Sequence, residues 1–217
     1  ENASIMNACL AELSIKVVAS FRVALREKGI TAPFYISQND GTLMTPAHVE
    51  RYPVLTFASG PTNSMRVAAK LAGLSDAMVV DIGGTTSDVG MLMQGFPRES
   101  AVAVDIGGVR TNFRMPDVLA IGLGGGSIVR DNGARIGPES VGYEITTKAL
   151  VFGGDTLTTT DIVVAAGLAD IGDRTKVAHL ASDLVENAIR TMHRMVDEAV
   201  DRMKTSSEPL PVILVGG

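Results

Sequence analysis

The chain has 217 residues, of which 46% are hydrophobic and 20% charged, proportions typical of a compact globular protein rather than a disordered one. Its formal net charge of −5, with no basic run longer than two residues, argues against nucleic-acid binding. No uninterrupted apolar stretch reaches the roughly 18 residues of a membrane span, and a single cysteine among ten methionines is typical of a reducing, cytoplasmic setting.

The N-terminal third is predicted to begin with a long helix. Apolar residues recur at spacings of three and four over residues 2–28, and this pattern places Cys9 in the core. A short strand is predicted over residues 33–37, before the turn signal Asn39-Asp40-Gly41. The proline near the start of residues 59–73 and the glycine at their end predict a second helix.

The central segment is predicted to contain a hairpin. A continuous apolar run over residues 77–82 predicts a buried strand that leads into Gly83-Gly84, and the alternation over residues 87–93 predicts its partner strand. The pentapeptide at 80–84 recurs at 104–108, and we treat the first copy as the functional one.

The C-terminal third is predicted to be mainly helical. Helices are expected over residues 160–168 and from about 175 to 204, followed by a buried strand over 212–217 that ends in glycines. Strands mixed with helices in this way indicate an α/β architecture, with a mixed sheet flanked by helices.

The segment that follows the first predicted central strand carries the most informative chemistry. The pair Gly83-Gly84 lets the backbone approach an anion and present N–H groups to it, and Thr85 and Thr86 add hydroxyl donors. Asp81 and Asp88 suit Mg²⁺ or its waters, the usual companion of a bound polyphosphate. The alternative is a tight hairpin whose threonines make only local hydrogen bonds.

A second glycine-rich run offers a similar choice. The N–H groups of Gly124, Gly125, Gly126 and Ser127 would suit a phosphate or a substrate anion. A flexible surface turn explains the same run equally well.

Neither a Walker loop nor a dinucleotide fingerprint is present, because no Gly-Lys-Ser/Thr follows the first glycine pair and no helix is predicted after it. A strand, a glycine turn and a second strand instead resemble the phosphate loops of the sugar kinase, actin and Hsp70 superfamily. That resemblance implies one lobe of an actin-like ATPase core, a ribonuclease H-like fold. It also implies that Gly216 and Gly217 contact adenosine.

The order of several motifs resembles the hydantoinase A/oxoprolinase family over nearly the whole chain. The segments that carry the resemblance are 38–44 (Gln-Asn-Asp-Gly-Thr-Leu-Met), 59–61 (Ser-Gly-Pro), 81–88, 122–128 (Gly-Leu-Gly-Gly-Gly-Ser-Ile), 135–140 and 160–161. The resemblance implies an ATP-dependent hydrolase of cyclic amides, which activates a substrate carbonyl by phosphoryl transfer. The alternatives are a non-catalytic nucleotide-binding domain, or a small-acid kinase or carboxylase subunit of the same superfamily.

The resemblance also implies ligands and roles. ATP and Mg²⁺ are the expected cofactors, and a cyclic amide or carboxylate is the expected substrate. Asp81 is expected to orient the metal or the attacking group, Asp88 to steady the loop and join Asp81 at the metal, and the two glycine runs with Thr85, Thr86 and Ser127 to hold phosphates.

One family feature is missing from the sequence. Family members carry an earlier Asp-x-Gly-Gly-Thr loop near their N-terminus, and nothing corresponds to it before Asp81. We therefore expect residues 1–217 to form one lobe of a longer protein, with an N-terminal lobe and a second subunit as partners. An uncovered apolar cleft face would let two copies dimerise.

Overall fold

The structure is a computed structural model that describes residues 2–100, 104–106, 109–111 and 115–216. The elements, in chain order, are α1 (Asn2–Glu27), β1 (Ile36–Ser37), β2 (Leu43–Met44), α2 (Pro46–Arg51), α3 (Ser59–Ala72), β3 (Ala77–Ile82), β4 (Ser87–Met93), β5 (Phe96–Pro97), β6 (Val104–Ile106), β7 (Val109–Thr111), β8 (Val118–Ile121), β9 (Ser127–Arg130), β10 (Arg135–Ser140), α4 (Ile145–Lys148), α5 (Thr159–Ala165), α6 (Ser182–Met203) and β11 (Val212–Gly216). Short 3₁₀ segments connect several of them. The mixed α/β class predicted from the sequence is confirmed.

The chain divides into two compact units. Unit 1 comprises Glu1–Asp76 and Leu92–Asp117, and unit 2 comprises Ala77–Met91 and Val118–Gly217. Every residue of the candidate phosphate site belongs to unit 2.

Unit 1 is built around α1, whose predicted extent is confirmed but whose predicted buried face is wrong. The apolar spacing predicts that Leu13 and Phe21 face the core, but they are 58% and 54% exposed. Ser14 and Val18 are the buried residues of the helix. The helix packs through a partly polar stripe, because the Asn7 side chain hydrogen-bonds with the backbone of α2 and of the 3₁₀ segment that follows.

Two further corrections concern unit 1. Cys9 is exposed rather than in the core, because it lies off the stripe that α1 buries. The strand predicted over residues 33–37 is reduced to β1, which pairs with β2 in an antiparallel register.

Unit 2 contains a mixed sheet in which β11, β3, β4 and β8 lie side by side. β11 runs parallel to β3, from Val212 opposite Met78 to Gly216 opposite Ile82, and β8 is antiparallel to β4. Residues of the sheet and of α6 form a core together. The sheet contributes Met78, Val80, Val89 and Met91, and α6 contributes Ala199 and Met203. The central strand β3 of the sheet is apolar and buried along its first four residues, as expected of a strand with a neighbour on each side.

The two C-terminal helices begin and end at positions that differ from the prediction. α6 starts at Ser182, because the preceding residues Arg174–Val177 form a 3₁₀ turn that Asp173 caps through the Thr175 N–H. Val177 belongs to the helical apolar pattern in the sequence, yet it packs into a separate cluster with α5. α5 ends at Ala165, three residues earlier than expected.

Two predictions fall partly on residues outside those that the structure describes. The predicted adenosine contact includes Gly217, which lies outside the described residues, and the second copy of the pentapeptide includes Gly107 and Gly108, which also lie outside them. Across the described ranges, no helix is both long and apolar enough to cross a membrane.

Candidate functional site

A four-residue turn joins β3 to β4 and forms the centre of the candidate site. The two strands are hydrogen-bonded neighbours, and a connection this short is possible only between antiparallel strands. The Gly83 N–H donates to the Thr86 carbonyl oxygen at 2.9 Å and closes the turn. Thr85 and Thr86 are exposed. The hairpin predicted from the sequence is therefore present, and we refer to residues 83–86 as the β3–β4 turn.

Several hydrogen-bond donors of the β3–β4 turn remain available to a ligand. Within the described part of the chain, the backbone N–H groups of Gly84, Thr85 and Thr86 have no acceptor, and neither do the two threonine hydroxyls. Successive unpaired N–H groups in a turn form a concavity that binds anions. The turn has the donors that a phosphate group requires.

Two carboxylates flank the β3–β4 turn. Asp81 lies near the end of β3 and Asp88 near the start of β4, and both are partly buried. Burial raises the pKa of the Asp88 carboxyl, and the nearby negative charge of Asp81 raises it further. A cation between or beside the two groups would offset this unfavourable arrangement.

The donor set fits Mg²⁺ better than a transition metal. No group of three or more His, Cys, Asp or Glu side chains that could enclose a metal occurs in the described residues. Mg²⁺ is usually held by one or two carboxylates, with water and substrate phosphates completing its coordination. Asp81 and Asp88 supply that number of ligands beside a turn with free N–H donors.

The second glycine run packs against the β3–β4 turn, and we refer to residues 122–127 as the glycine loop. Gly125 N–H donates to the Gly83 carbonyl oxygen at 3.0 Å, and Gly126 N–H donates to the Gly84 carbonyl oxygen at 2.6 Å. Gly124 N–H donates to the Ser127 hydroxyl oxygen at 2.9 Å.

Phosphate binding through the N–H groups of the glycine loop, as expected from the sequence, would require these groups to be free. The remaining N–H group, that of Ser127, donates to the Gly124 carbonyl oxygen at 3.0 Å. All four N–H groups of residues 124–127 are thus used inside the protein and are not free to cradle an anion, which corrects the sequence-based expectation. The loop instead holds the β3–β4 turn by hydrogen bonds to the carbonyl oxygens of Gly83 and Gly84.

Close packing explains why glycines occupy this loop. A Cβ atom on Gly124 would lie 2.6 Å from the Thr85 backbone nitrogen and 2.7 Å from the Gly83 carbonyl oxygen. A Cβ atom on Gly126 would lie 2.8 Å from the Ser140 hydroxyl oxygen and 3.0 Å from the Gly84 carbonyl oxygen. Any larger residue at either position would push the two loops apart.

The glycine loop is itself held by hydrogen bonds from the start of α5. The hydroxyls of Thr159 and Thr160 donate to the carbonyl oxygens of Gly124 and Gly125. The helix itself is capped by Thr158 and Asp161, which bond each other's backbone N–H groups. Sequence analysis did not assign Thr159 or Thr160 to the site, although a threonine three residues before an aspartate is a recognisable helix-start signal.

Gly216 lies beside the end of β3, as the parallel register requires. Its φ is +118°, and a Cβ atom there would lie 2.1 Å from the Ile82 carbonyl oxygen. Only glycine fits this position without moving the strand end. Its predicted contact with adenosine stays a prediction, as does that of Gly217, which lies outside the described residues.

A cavity of about 330 Å³ opens next to the turn, a size at the lower end for small-molecule sites. Most of its lining is apolar and comes from α5, α6 and the segment between them. Gly83 of the β3–β4 turn and Gly124 and Gly125 of the glycine loop also line it. The other lining residues are Ile82, Leu123, Thr159, Thr160, Val163, Leu168, Ile171, Ile189, Met192, His193 and Val196. These residues are spread over more than half of the chain, so no local motif indicates that they meet.

Comparisons with known proteins agree with this fold. The family described as hydantoinase/oxoprolinase matches residues 1–170. An uncharacterized protein of Methanocaldococcus jannaschii is 26% identical over 92% of this chain and 32% of its own length. The acetone carboxylase beta subunit of Xanthobacter autotrophicus is 26% identical over 76% of this chain and 24% of its own length.

A solved structure shows the same fold. The ATP-dependent caprolactamase from Pseudomonas jessenii superimposes with a TM-score of 0.73 at 21% identity, over 100% of this chain and 35% of that one. The chain thus spans about a quarter to a third of the length of the proteins it resembles.

Proposed function

Because this chain belongs to the hydantoinase/oxoprolinase family, whose model matches residues 1–170, we propose that its β3–β4 turn binds the phosphates of ATP. The single observation that carries the proposal is the set of exposed donors on this turn that have no acceptor among the described residues. Gly84, Thr85 and Thr86 offer three backbone N–H groups and two hydroxyls in a short segment. Phosphoryl transfer depends mainly on positioning and on charge stabilisation, which such a donor set supplies.

The nucleoside end of ATP is assigned to the neighbouring cavity. The carboxyl ends of β3 and β11 meet at Ile82 and Gly216, and ligands of open α/β sheets bind at the carboxyl ends of the strands. The cavity starts at Ile82 and Gly83 and is largely apolar, which suits a flat base. In this assignment Gly216 and Gly217 lie against the adenosine.

Asp81 and Asp88 are assigned to Mg²⁺. The ion, when bound, would neutralise charge on the phosphates during transfer. The carboxylates would hold it beside the turn, and Asp81, at the end of β3, would also orient the group that attacks the phosphorus.

For the whole protein we propose ATP-dependent opening of a cyclic amide. The γ-phosphoryl group passes from ATP to the amide oxygen and ADP leaves; water then attacks the amide carbon, phosphate departs and the C–N bond breaks. Support comes from the likeness to an ATP-dependent caprolactamase. A second candidate is a role as a carboxylase subunit that activates a small substrate with ATP, supported by the likeness to an acetone carboxylase beta subunit. Both candidates need further chain or partner subunits, since the chain spans only part of these relatives.

The first experiment is a calorimetric titration of the full-length protein with Mg·ATP, with the Asp81→Ala variant alongside. Binding that is weakened strongly in the variant supports the assignment of Asp81. Undiminished binding in the variant contradicts it, and no binding by the unaltered protein contradicts the nucleotide site itself.

A second assay separates the two candidate reactions. ADP release that depends on a lactam, with an amino acid as product, or on a hydantoin, with an N-carbamoyl amino acid as product, supports the amidohydrolase. ADP release that depends on bicarbonate and a ketone supports the carboxylase role. Binding without either reaction favours a non-catalytic nucleotide-binding domain.

A further inference from the structure

Two peptide groups of the glycine loop connect α5 to the β3–β4 turn. The first joins Gly124 to Gly125. Its carbonyl oxygen accepts the Thr159 hydroxyl, and its N–H donates to the Gly83 carbonyl oxygen at 3.0 Å. One planar unit thus carries a hydrogen bond on each side.

The second peptide group, between Gly125 and Gly126, repeats the arrangement. Its carbonyl oxygen accepts the Thr160 hydroxyl at 2.8 Å and the Thr160 N–H at 3.0 Å. Its N–H donates to the Gly84 carbonyl oxygen at 2.6 Å. Two parallel chains of hydrogen bonds therefore run from the first turn of α5 to the β3–β4 turn.

These chains determine where the free donors of the β3–β4 turn point. In a trans peptide group the C=O and the N–H point in opposite directions. Because the carbonyl oxygens of Gly83 and Gly84 are held toward the glycine loop, the N–H groups of Gly84 and Thr85 point away from it. These two N–H groups are among those that have no acceptor within the described part of the chain.

The first turn of α5, where both chains of hydrogen bonds begin, is buried and held by further hydrogen bonds. Thr159 and Thr160 are 4% and 8% exposed, and Asp161 is fully buried. The Asp161 carboxylate accepts the N–H and hydroxyl of Thr158 and the Val151 N–H, at 2.7 to 2.8 Å. Buried hydrogen-bond chains polarise one another, so this first turn can affect donors that it does not touch.

We propose that Thr159 and Thr160 are positioning residues that orient the anion-binding N–H groups of the β3–β4 turn through the glycine loop. The inference rests on the proposed function, because it assumes that this turn binds phosphate. It assigns the two hydroxyls a role in ligand affinity that is distinct from contact with the ligand.

The test measures phosphate binding separately from base binding. Both threonines also line the cavity, so the full-length protein is titrated with Mg·pyrophosphate as well as with Mg·ATP. Thr159→Val and Thr160→Val remove the hydroxyls at nearly constant shape. Loss of one such hydrogen bond should weaken both ligands by roughly 2- to 10-fold.

Two matched variants separate positioning from general destabilisation. Thr160→Ser keeps the hydroxyl and should restore affinity for both ligands. Val164→Ala removes buried apolar volume from the same helix without touching either hydrogen-bond chain, and it should leave both affinities unchanged.

Amide hydrogen exchange provides a readout that does not depend on ligand. In the Thr→Val variants the N–H groups of Gly125 and Gly126 should exchange faster, while the amides of α6 keep their protection. This measurement also applies to any variant that binds too weakly to titrate.

The outcomes distinguish this inference from the proposed function. If the unaltered protein binds neither ligand, the proposed function is wrong. If it binds both and the Thr→Val variants match it, or if they lose affinity for ATP but not for pyrophosphate, the positioning role is wrong. Unchanged exchange at Gly125 and Gly126 also overturns it.

Discussion

At the scale of single residues, the Asp88 carboxyl is placed where ionisation is unfavourable. It is partly buried, and Asp81 adds a like charge nearby, so its pKa is raised above the usual value. A group with a raised pKa binds its proton more tightly in the folded state than in the unfolded state. Ionised Asp88 therefore reduces the stability of the ligand-free protein at neutral pH.

Replacement of this carboxyl should therefore stabilise the ligand-free protein. We expect Asp88→Asn to have a higher melting temperature than the unaltered protein at pH 7. The gain should disappear below about pH 4, because Asp88 is then protonated in both the folded and the unfolded states. Thermal melts from pH 3 to 7 would measure it.

The control for this prediction is Asp197→Asn on the exposed face of α6, which should show little effect at any pH. A lower melting temperature for Asp88→Asn at pH 7 would contradict the prediction. If Asp88 helps to hold Mg²⁺ as proposed, saturating Mg·ATP should remove the advantage of Asp88→Asn.

Gly84 allows the ligand space to be tested without disturbing the fold. A Cβ atom on Gly84 would have no atom of the described residues within 4 Å, so Gly84→Ala should melt within a few degrees of the unaltered protein. If the phosphates occupy this open space, the added methyl group would displace them. We expect affinity for Mg·pyrophosphate to fall about 10-fold or more, or about 1.4 kcal/mol.

Gly60→Ala is the matched control, because a Cβ atom there also meets nothing within 4 Å and Gly60 lies in α3 of unit 1. It should leave pyrophosphate affinity unchanged. Equal affinities for Gly84→Ala and the unaltered protein would place the phosphates elsewhere.

How far the sequence predicts the site depends on how local each interaction is. The β3–β4 turn, with Asp81 and Asp88 on either side, is predictable because all its parts lie within eight consecutive residues. The role of the glycine loop is not, because glycines with free and with occupied N–H groups look identical in sequence. What decides the matter is the pairing of Gly125 and Gly126 with residues about 40 positions earlier.

At the scale of elements, α5 is a short helix whose position depends on its first turn. It spans only seven residues, too few to be stable alone. Its capping box and the buried contacts of Ile162 therefore supply most of what holds it in place.

Asp161→Ala should weaken α5 substantially. It would leave the Val151 N–H and the Thr158 N–H and hydroxyl without their buried acceptor. We expect a loss of about 3 to 5 kcal/mol in the free energy of unfolding of unit 2, measured by urea denaturation.

Asp170→Ala, at an exposed position, should change that free energy by less than about 0.5 kcal/mol. If Asp161→Ala also loses less than about 1 kcal/mol, the capping box is not what holds α5. The loss should be accompanied by faster exchange of the glycine-loop amides.

Elements were predictable where one local pattern determines them. The strands β3 and β4 have the predicted bounds, because a continuous buried run and an alternating run are both distinctive. The buried face of α1 is not predictable in this way. Asn7 and Ser14 take part in the packing of the helix, and a search for apolar periodicity leaves polar residues out. The sequence predicts too early a start for α6, because Val177 fits the helical spacing although it packs into a separate cluster.

At the scale of the whole molecule, the two units differ in their expected response to ligand. The β3–β4 turn, the glycine loop, α5 and the cavity all belong to unit 2. A ligand that binds a folded unit stabilises that unit by mass action. Unit 1 gains nothing if the two units unfold independently.

Hydrogen exchange with Mg·ATP would test this independence. At a ligand concentration about 100 times Kd, stabilisation is about 2.7 kcal/mol, so the slowest amides of unit 2 should exchange roughly 100-fold more slowly. The amides of α1 should not change. Equal slowing in both units would show that they unfold as one cooperative body.

The exposed Cys9 has a practical consequence for fluorescence work. It is the single cysteine of the chain, and it lies on the solvent side of α1 in unit 1. A maleimide dye would therefore attach at one position of this segment without any thiol being removed first. Paired with a fluorescent ATP analogue, that dye would test the proposed nucleotide site in unit 2 by energy transfer from unit 1.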